Sequence, residues 1–447
     1  MGRTFRLRKR KSRKNVVLSS DPSFVNLTQW MSKRGWKQTT SLCLAKFKDT
    51  GRGLMARCNI EQGDVLVSIP RSLLITTATV VESPVGCAFS RVTLTPNNFL
   101  CQEILACFLL WEKHLGNTSI WANYLETLPK SFSIPHCLDK SHINSFPWFL
   151  QEQALNSIEL VQSCFMHLIP SFKDYVCNHC QLSALDIFVW DDFLWAWCCV
   201  NTRAVFIDPE NVPSHPIPLR DRNCLALAPY LDMFNHSDAV EVKVGLNKNN
   251  NCYEIVTLQP VKKFNEVFIN YGPHSNTKLF LEYGFVLPRN VHDTIPIDFN
   301  QLKEVFSETG ITIPNEYDKR KFCERHGLIT QLYLSKGGLS WNCLTVLKIL
   351  LCCSNNHKYW QEISFKGESS EKICDNSFKI VKEGIFRKIS KDLLKSHNLI
   401  FGECSHSCCT FWQEGKRHPT VEMCRVLIHR LKSILTSASL VDDCGQT

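Results

Sequence analysis

Between Leu225 and Leu287 the chain places Asp232, Asn235, His236, Tyr271 and Tyr283 in two segments, LALAPYLDMFNHSDAV and VFINYGPHSNTKLFLEYGFVL. Both segments otherwise read as buried β structure. A polar group taken out of water without a partner costs about 2–7 kcal/mol, so polar side chains at such positions are paired or functional. A phenol titrates near pH ~10, which makes a tyrosine a group that orients a reactant rather than a base that takes its proton. Taken alone, Asn235-His236-Ser237 closes a turn and matches a glycosylation sequon, and Tyr271 and Tyr283 are core aromatics with hydrogen-bonded tips. Their joint occurrence points to a site.

Two earlier stretches carry further candidates. Gly51-Arg52-Gly53-Leu54-Met55-Ala56 matches the dinucleotide fingerprint G-x-G-x-x-G/A in form. That fingerprint needs a helix opening at its glycines, whereas here Gly63 follows closely and Val65, Val67 and Ile69 alternate as in a strand. No acid stands some twenty residues on, where Arg71 falls, so a Rossmann site is rejected. Turn glycines, or a backbone closely approaching a ligand on a β framework, remain. Arg203 sits among Trp195, Trp197, Val200, Val205 and Phe206 and needs an anionic partner there: Asp191 or Asp192 for a structural role, a ligand carboxylate for a functional one. Cys177-Asn-His179-Cys180 and Cys404-Ser-His406-Ser-Cys408-Cys409 hold zinc-capable ligands, but each lacks a second spaced pair nearby, and no metal site is assigned.

These residues need elements to hold them. Asp21 can cap a helix carrying Phe24, Leu27, Trp30, Met31 and Trp36. Short strands and turns follow to Pro70, punctuated by Gly51, Gly53 and Gly63. A helical block runs from Asn97 to about residue 205, with FLCQEILACFLLWEKHLG at its start and DDFLWAWCCVNTRAVF at its end. Strands return as EVKVGL, CYEIVTL and FNEVFIN. Beyond Pro288 helical stretches are predicted around 320–335, 340–353, 377–400 and 419–437. The class is α+β: a basic disordered arm over 1–20, a β-rich domain over 21–290 with a helical insertion at about 97–205, and an all-helical lobe over 291–447.

GRGLMA, NTRAVF, YLDMFNHS and INYG followed by LEYGF resemble the SET-domain protein methyltransferases. The helical insertion, the segment WANYLETLP within it and the helical lobe resemble more narrowly the Rubisco large-subunit methyltransferase-like subclass. The resemblance covers roughly residues 25–440. It implies a protein-lysine N-methyltransferase that uses S-adenosylmethionine. Gly51, Arg52, Gly53 and Leu54 would then offer backbone groups to the methyl donor, and Arg203 would hold its carboxylate. Asn235 and His236 would contact its amino-acid and adenine portions, with Asp232 orienting that segment. Tyr271 would be the catalytic tyrosine beside the donor, Tyr283 would wall the acceptor channel, and the C-terminal lobe would bind a protein substrate. Two departures from histone-modifying members are visible: no Cys-x-Pro-Asn follows His236, and no cysteine-rich tail follows Tyr283. A protein-histidine methyltransferase and a non-catalytic binding protein of the same fold are the alternatives.

Composition sets the remaining expectations. Of a net charge of +9, eight positive charges precede the first acid, Asp21, leaving one for the rest of the chain. No membrane contact or specific nucleic-acid binding is expected from so nearly neutral a body. With no apolar run after the arm and no membrane-length segment, the 23 cysteines read as reduced thiols of an intracellular protein of nucleus and cytoplasm. The basic arm reads as a nuclear-import signal or a weak phosphate-binding tail, with a merely solvated tail as the alternative. On the import reading, deleting residues 1–14 should shift a fluorescent fusion from nucleus to cytoplasm, and an unchanged nuclear fraction on microscopy would discard that reading.

Overall fold

In this computed structural model the described residues are 16–86, 89, 99–138, 140–144, 146–214, 217, 219–222, 224–367, 373–401, 412–413, 416–417 and 419–444. Most of the basic arm, residue 97 and the 404–409 cysteine cluster lie outside them. Two units are defined: residues 1–132 with 158–273, and residues 133–157 with 274–447.

The first unit opens with a two-residue strand, β1 (Val16–Val17), paired to β2 (Leu42–Phe47), so the last part of the expected arm belongs to a sheet. Helix α1 (Pro22–Ser32) lies between them, and the Asp21 carboxylate accepts from Ser23 N and Phe24 N as the expected cap. Strand β3 (Gly51–Ala56) folds back on β2 in register from Phe47↔Gly51 to Leu42↔Ala56. Gly51 turns that hairpin at φ +75°, a conformation that costs a β-carbon dearly. The glycine-rich stretch is thus a strand and opens no helix, whereas the rejected dinucleotide reading would require one.

A second sheet takes the order β4 (Val65–Pro70), β7 (Cys252–Thr257), β6 (Val242–Asn247), all antiparallel. A parallel two-residue ladder joins β5 (Asn235–His236) to β8 (Phe268–Ile269), with Asn235 beside Phe268 and His236 beside Ile269. The helical insertion supplies α2 (Cys101–Leu115) and α4 (Trp190–Arg203), which pack along each other, with Gln102 Nε2 donating to Asn201 Oδ1 (3.2 Å) between them. Between them in sequence runs α3 (Trp148–Leu168), whose residues 148–157 count with the second unit.

The unit boundary at 273/274 differs from the expected 290/291, and a hydrogen-bond network explains why. Asn276 donates from its backbone N to Asp293 Oδ1 (2.7 Å) and from Nδ2 to Asp293 Oδ2 (2.9 Å) and Leu287 O (2.8 Å). Its Oδ1 accepts from Leu287 N (2.7 Å), and Asn290 Nδ2 reaches back to His274 O (2.9 Å). Residues 274–293 are therefore tied to one another. Residues 133–157 of the expected insertion join the same unit: Ser133 Oγ donates to Gly284 O (2.9 Å), and the rings of Phe146 and Phe280 meet edge-on at 5.4 Å.

The remainder of the second unit is mainly helical but not all-helical. It holds α5 (Phe299–Thr309), α6 (Glu316–Arg325), α7 (Trp341–Leu351), α8 (His357–Lys366), α9 (Asp375–Phe401) and α10 (Pro419–Cys444). A small antiparallel sheet of β9 (Ile295–Pro296), β10 (Tyr333–Ser335) and β11 (Gly338–Leu339) accompanies them. The helix expected over 320–335 stops at Arg325, because Gly327 (φ +67°) and Gln331 (φ +55°) turn the chain out of helical geometry. Gly384 of α9 lets α5 approach, since a β-carbon there would meet Val305 Cγ1 at 2.7 Å.

Replacing Asn276 with alanine removes its side-chain bonds to Asp293 Oδ2 and to the N–H and carbonyl of Leu287, and should cost about 3 kcal/mol in urea unfolding. A loss under about 0.5 kcal/mol would remove the network from this explanation of the boundary.

Candidate active site

The first unit brings together the residues Gly51, Arg52, Gly53, Leu54, Arg203, Asp232, Asn235, His236 and Tyr271. Tyr283 belongs to the second unit and is described with it below.

Asp232 is the hub. It sits on a single 3-10 turn, Leu231–Met233, and its side chain is fully buried. Arg203 Nη1 donates to both Asp232 Oδ2 (3.0 Å) and Asp232 O (3.0 Å), and Tyr124 Oη donates to the same Oδ2 (3.0 Å). The anionic partner of Arg203 is therefore this aspartate, not Asp191 or Asp192. Arg203 is the last residue of α4 and Asp192 lies in its first turn, roughly 16 Å away along the axis at 1.5 Å per residue. Asp192 pairs instead with Lys113 Nζ (2.7 Å).

The turn that presents Asp232 is strained. Tyr230, immediately before it, takes φ +72°, which a bulky residue rarely adopts. Packing holds it there: its ring stacks on Phe24 (5.8 Å) and lies against Trp36 (4.8 Å), and its hydroxyl accepts from Gln38 Nε2 (3.3 Å). Strain at one backbone position thus fixes where the buried carboxylate points.

Around this hub two guanidiniums, Arg52 and Arg203, act on each other as well as on Asp232. Burial lowers the Arg52 guanidinium below its usual range, and the nearby Arg203 charge lowers it further, with Asp232 and Asp21 opposing. For Arg203 burial is the largest influence and opposes the charge, but Asp232, Tyr124 and Cys199 together outweigh it and raise the group. Arg52 Nη2 is held by Thr127 O (2.6 Å). Arg203 Nε and Asp232 Oδ1 are buried yet make no hydrogen bond among the described residues. Such orphaned polar atoms are costly, and an unmatched donor and an unmatched acceptor on one ion pair suit a small zwitterion bearing both a carboxylate and an ammonium.

Asn235 is occupied. Its Nδ2 donates to Arg52 O (3.1 Å) and Glu266 Oε1 (2.7 Å), locking β5 to β3. Glu266 also accepts from Thr50 Oγ1 (2.6 Å to Oε2), and burial pushes its carboxyl up despite these bonds. Gly53 is what allows this junction: a β-carbon there would stand 2.5 Å from Glu266 Oε1 and 2.6 Å from Asn235 Nδ2. Leu54 O accepts from Val267 N (2.8 Å), which extends the same contact.

Tyr271 and His236 form the other side. Tyr271 N donates to His236 Nδ1 (3.1 Å), which places the proton of the neutral imidazole on Nε2, and the two rings stack at 5.1 Å. Tyr271 Oη donates to Phe234 O (2.6 Å), so toward an incoming group this oxygen acts as an acceptor. In the second unit, Tyr283 ends a π-helical turn, Leu279–Tyr283, closed by Gly284 at φ +75°. Its ring stacks with His274 (6.1 Å), and burial, aided by Glu282, pushes its hydroxyl up to about 12.

Sequence reasoning missed Tyr124, Glu266 and Thr50. Glu266 left a signal, an acid inside the strand-like FNEVFIN, and Tyr124 lay in the quoted WANYLETLP without a role.

A SET-domain family model matches residues 51–272, the span that contains this arrangement from Gly51 to Tyr271. The chain is 35% identical to human SET domain-containing protein 4 over 421 residues, covering 91% of this chain and 90% of that protein. It is 34% identical to the mouse protein of that name, over 90% and 89% of the two chains. The chain belongs to the SET-domain family. It is also 28% identical to the actin-histidine N-methyltransferase of Gallus gallus, over 68% of this chain and 51% of that protein. Among solved structures, Rubisco LSMT bound to sinefungin and monomethyllysine superposes with a TM-score of 0.67 at 17% identity, over 95% and 92% of the two chains. The SET domain of LSMT bound to lysine and AdoHcy gives 0.62 at 18%, over 94% and 92%. These likenesses establish a SET fold of mixed helices and strands with a helical C-terminal region.

Tyr124→Phe removes one donor to the buried Asp232 carboxylate and should cost about 2 kcal/mol of stability in chemical denaturation. An unchanged midpoint would mean that Arg203 alone satisfies Asp232.

Proposed function

We propose that this SET-domain methyltransferase acts on lysine side chains of proteins, histone or non-histone, in nucleus and cytoplasm. S-adenosylmethionine is its cofactor; when bound, it supplies a methyl group activated by a sulfonium. The observation that carries the site assignment is that the buried Arg203 Nε and Asp232 Oδ1 have no hydrogen-bond partner among the described residues.

From these residues the following roles derive. Arg203 keeps its Nη1 on Asp232 and offers Nε to the donor's carboxylate, and Asp232 Oδ1 accepts from the donor's ammonium. The side chain of Asn235 contributes through its Oδ1, since its Nδ2 is spent on Arg52 O and Glu266. Gly53 and Leu54 present main chain rather than side chain. Tyr271, its hydroxyl hydrogen committed to Phe234 O, accepts from an N–H of the neutral acceptor amine and aims the nitrogen lone pair. The amine reaches that neutral form by giving its proton to solvent, a loss favoured by burial and by the donor's positive charge.

The lysine reading is supported by the fold shared with LSMT over nearly the whole chain, since LSMT is described with lysine and monomethyllysine bound. A histidine acceptor is the second reading, supported by the actin-histidine relatives, of which the chain spans about half. Incubation with labelled S-adenosylmethionine and cell extract, followed by mass spectrometry of the labelled residue, separates the two. Tyr271→Phe should lower transfer by about tenfold or more, which is roughly 1.4 kcal/mol at the transition state, with donor binding retained. Equal labelling by both proteins would overturn the role of Tyr271, and label on imidazole would overturn the lysine reading.

A further inference from the structure

The Cys177-Asn178-His179-Cys180 stretch, to which no metal was assigned for want of further ligands, acquires one in the folded first unit. His114, in the last turn of α2, brings its imidazole to the two thiols, and the ligand atoms of His114, Cys177 and Cys180 all lie within 4.8 Å of one another. His114 Nε2 stands 3.3 Å from Cys180 Sγ. Around a tetrahedral zinc with Zn–S near 2.3 Å and Zn–N near 2.0 Å, neighbouring ligand atoms are roughly 3.5–3.8 Å apart. The three atoms are thus already grouped on that scale.

The backbone is shaped for the same purpose. Cys177 N donates to Leu182 O (2.9 Å), Gln181 N donates to Cys177 O (2.8 Å), and Val176 bridges Ser183. These bonds fold the C-x-x-C segment into a tight knuckle, with Gln181, directly after the second cysteine, at φ +61°. A non-glycine residue in that region is strained, and strain of this kind persists where the surroundings impose it. The third ligand comes from a rigid element: Trp111, one helical turn before His114, packs against its ring (5.7 Å) and against Tyr175 of the knuckle (5.3 Å). Cys177 is buried, His114 half-buried and Cys180 exposed, so the site opens to solvent on one side.

We propose that His114, Cys177 and Cys180 bind a zinc ion that clamps the end of α2 to the knuckle. Two sulfurs and one nitrogen form the donor set zinc prefers, and water or the exposed His179 completes four-coordination. Each cysteine binds as the thiolate, releasing its proton to solvent, and the imidazole binds neutral through Nε2. The clamp is independent of the methyl-transfer reading, because none of its ligands touches the residues around Asp232.

The test is metal analysis of the purified full chain after incubation with zinc chloride and gel filtration. Wild type should retain about one zinc per chain. Cys180→Ser and His114→Gln should each lose it, and Cys408→Ser, in the second cysteine cluster, should keep it. Cobalt substitution gives a second readout: the thiolate charge-transfer band should appear in wild type and be absent in Cys180→Ser and His114→Gln, while the far-ultraviolet circular dichroism of both variants matches wild type and so excludes misfolding. Retention below about one zinc in ten chains by wild type would overturn the site, leaving a cysteine–imidazole hydrogen bond. Zinc kept by Cys180→Ser but lost by Cys408→Ser would also overturn it by placing the metal elsewhere.

Discussion

The donor site depends on one buried ion pair. The Asp232 carboxylate has no contact with solvent, and it is sustained by Arg203 from the end of α4 and Tyr124 from an earlier part of the insertion. A charge so placed is tolerated only with excellent hydrogen bonding, and removing one charged partner from such a pair typically costs about 3–5 kcal/mol. The helical insertion is therefore more than an appendage to a β domain. It supplies the cation and the phenol that allow an aspartate to be buried where the chain turns toward Asn235 and His236.

The second constraint is steric. Asn235, Glu266 and Gly53 share a volume in which one more carbon atom does not fit without displacing a hydrogen-bonded side chain. This places the main chain of β3 against β5 and commits Nδ2 of Asn235 to the protein. The strained Tyr230 plays a comparable part, with aromatic contacts and a hydrogen bond holding a backbone conformation that its own side chain disfavours. Both features reduce the freedom of the site before any ligand arrives, which lowers the entropic cost of binding.

Much of this was legible in the sequence. The β hairpin at Gly51, the capped helix after Asp21 and the mismatch of polar residues with a buried β setting follow from local rules that the fold obeys. The partner of Arg203 did not, because Asp232 lies 29 residues further on and pairing at that separation leaves no periodic trace. A length argument could have excluded Asp192, since one helix carries both residues near opposite ends. The small sheet of the second unit was hidden by leucines that suit helix and strand alike, although Gly337-Gly338 marked its hairpin. The unit boundary moved for a similar reason: the bonds of Asn276 to Asp293 look like loop polarity until the chain is folded.

The most direct measurement is a crystal structure of the chain with S-adenosylhomocysteine. The ligand's carboxylate is predicted within hydrogen-bond distance of Arg203 Nε and its ammonium beside Asp232 Oδ1, with the Arg203 to Asp232 bond intact. A ligand bound in the first unit without touching Arg203 or Asp232, or a carboxylate that displaces Asp232 from Arg203, would contradict the account.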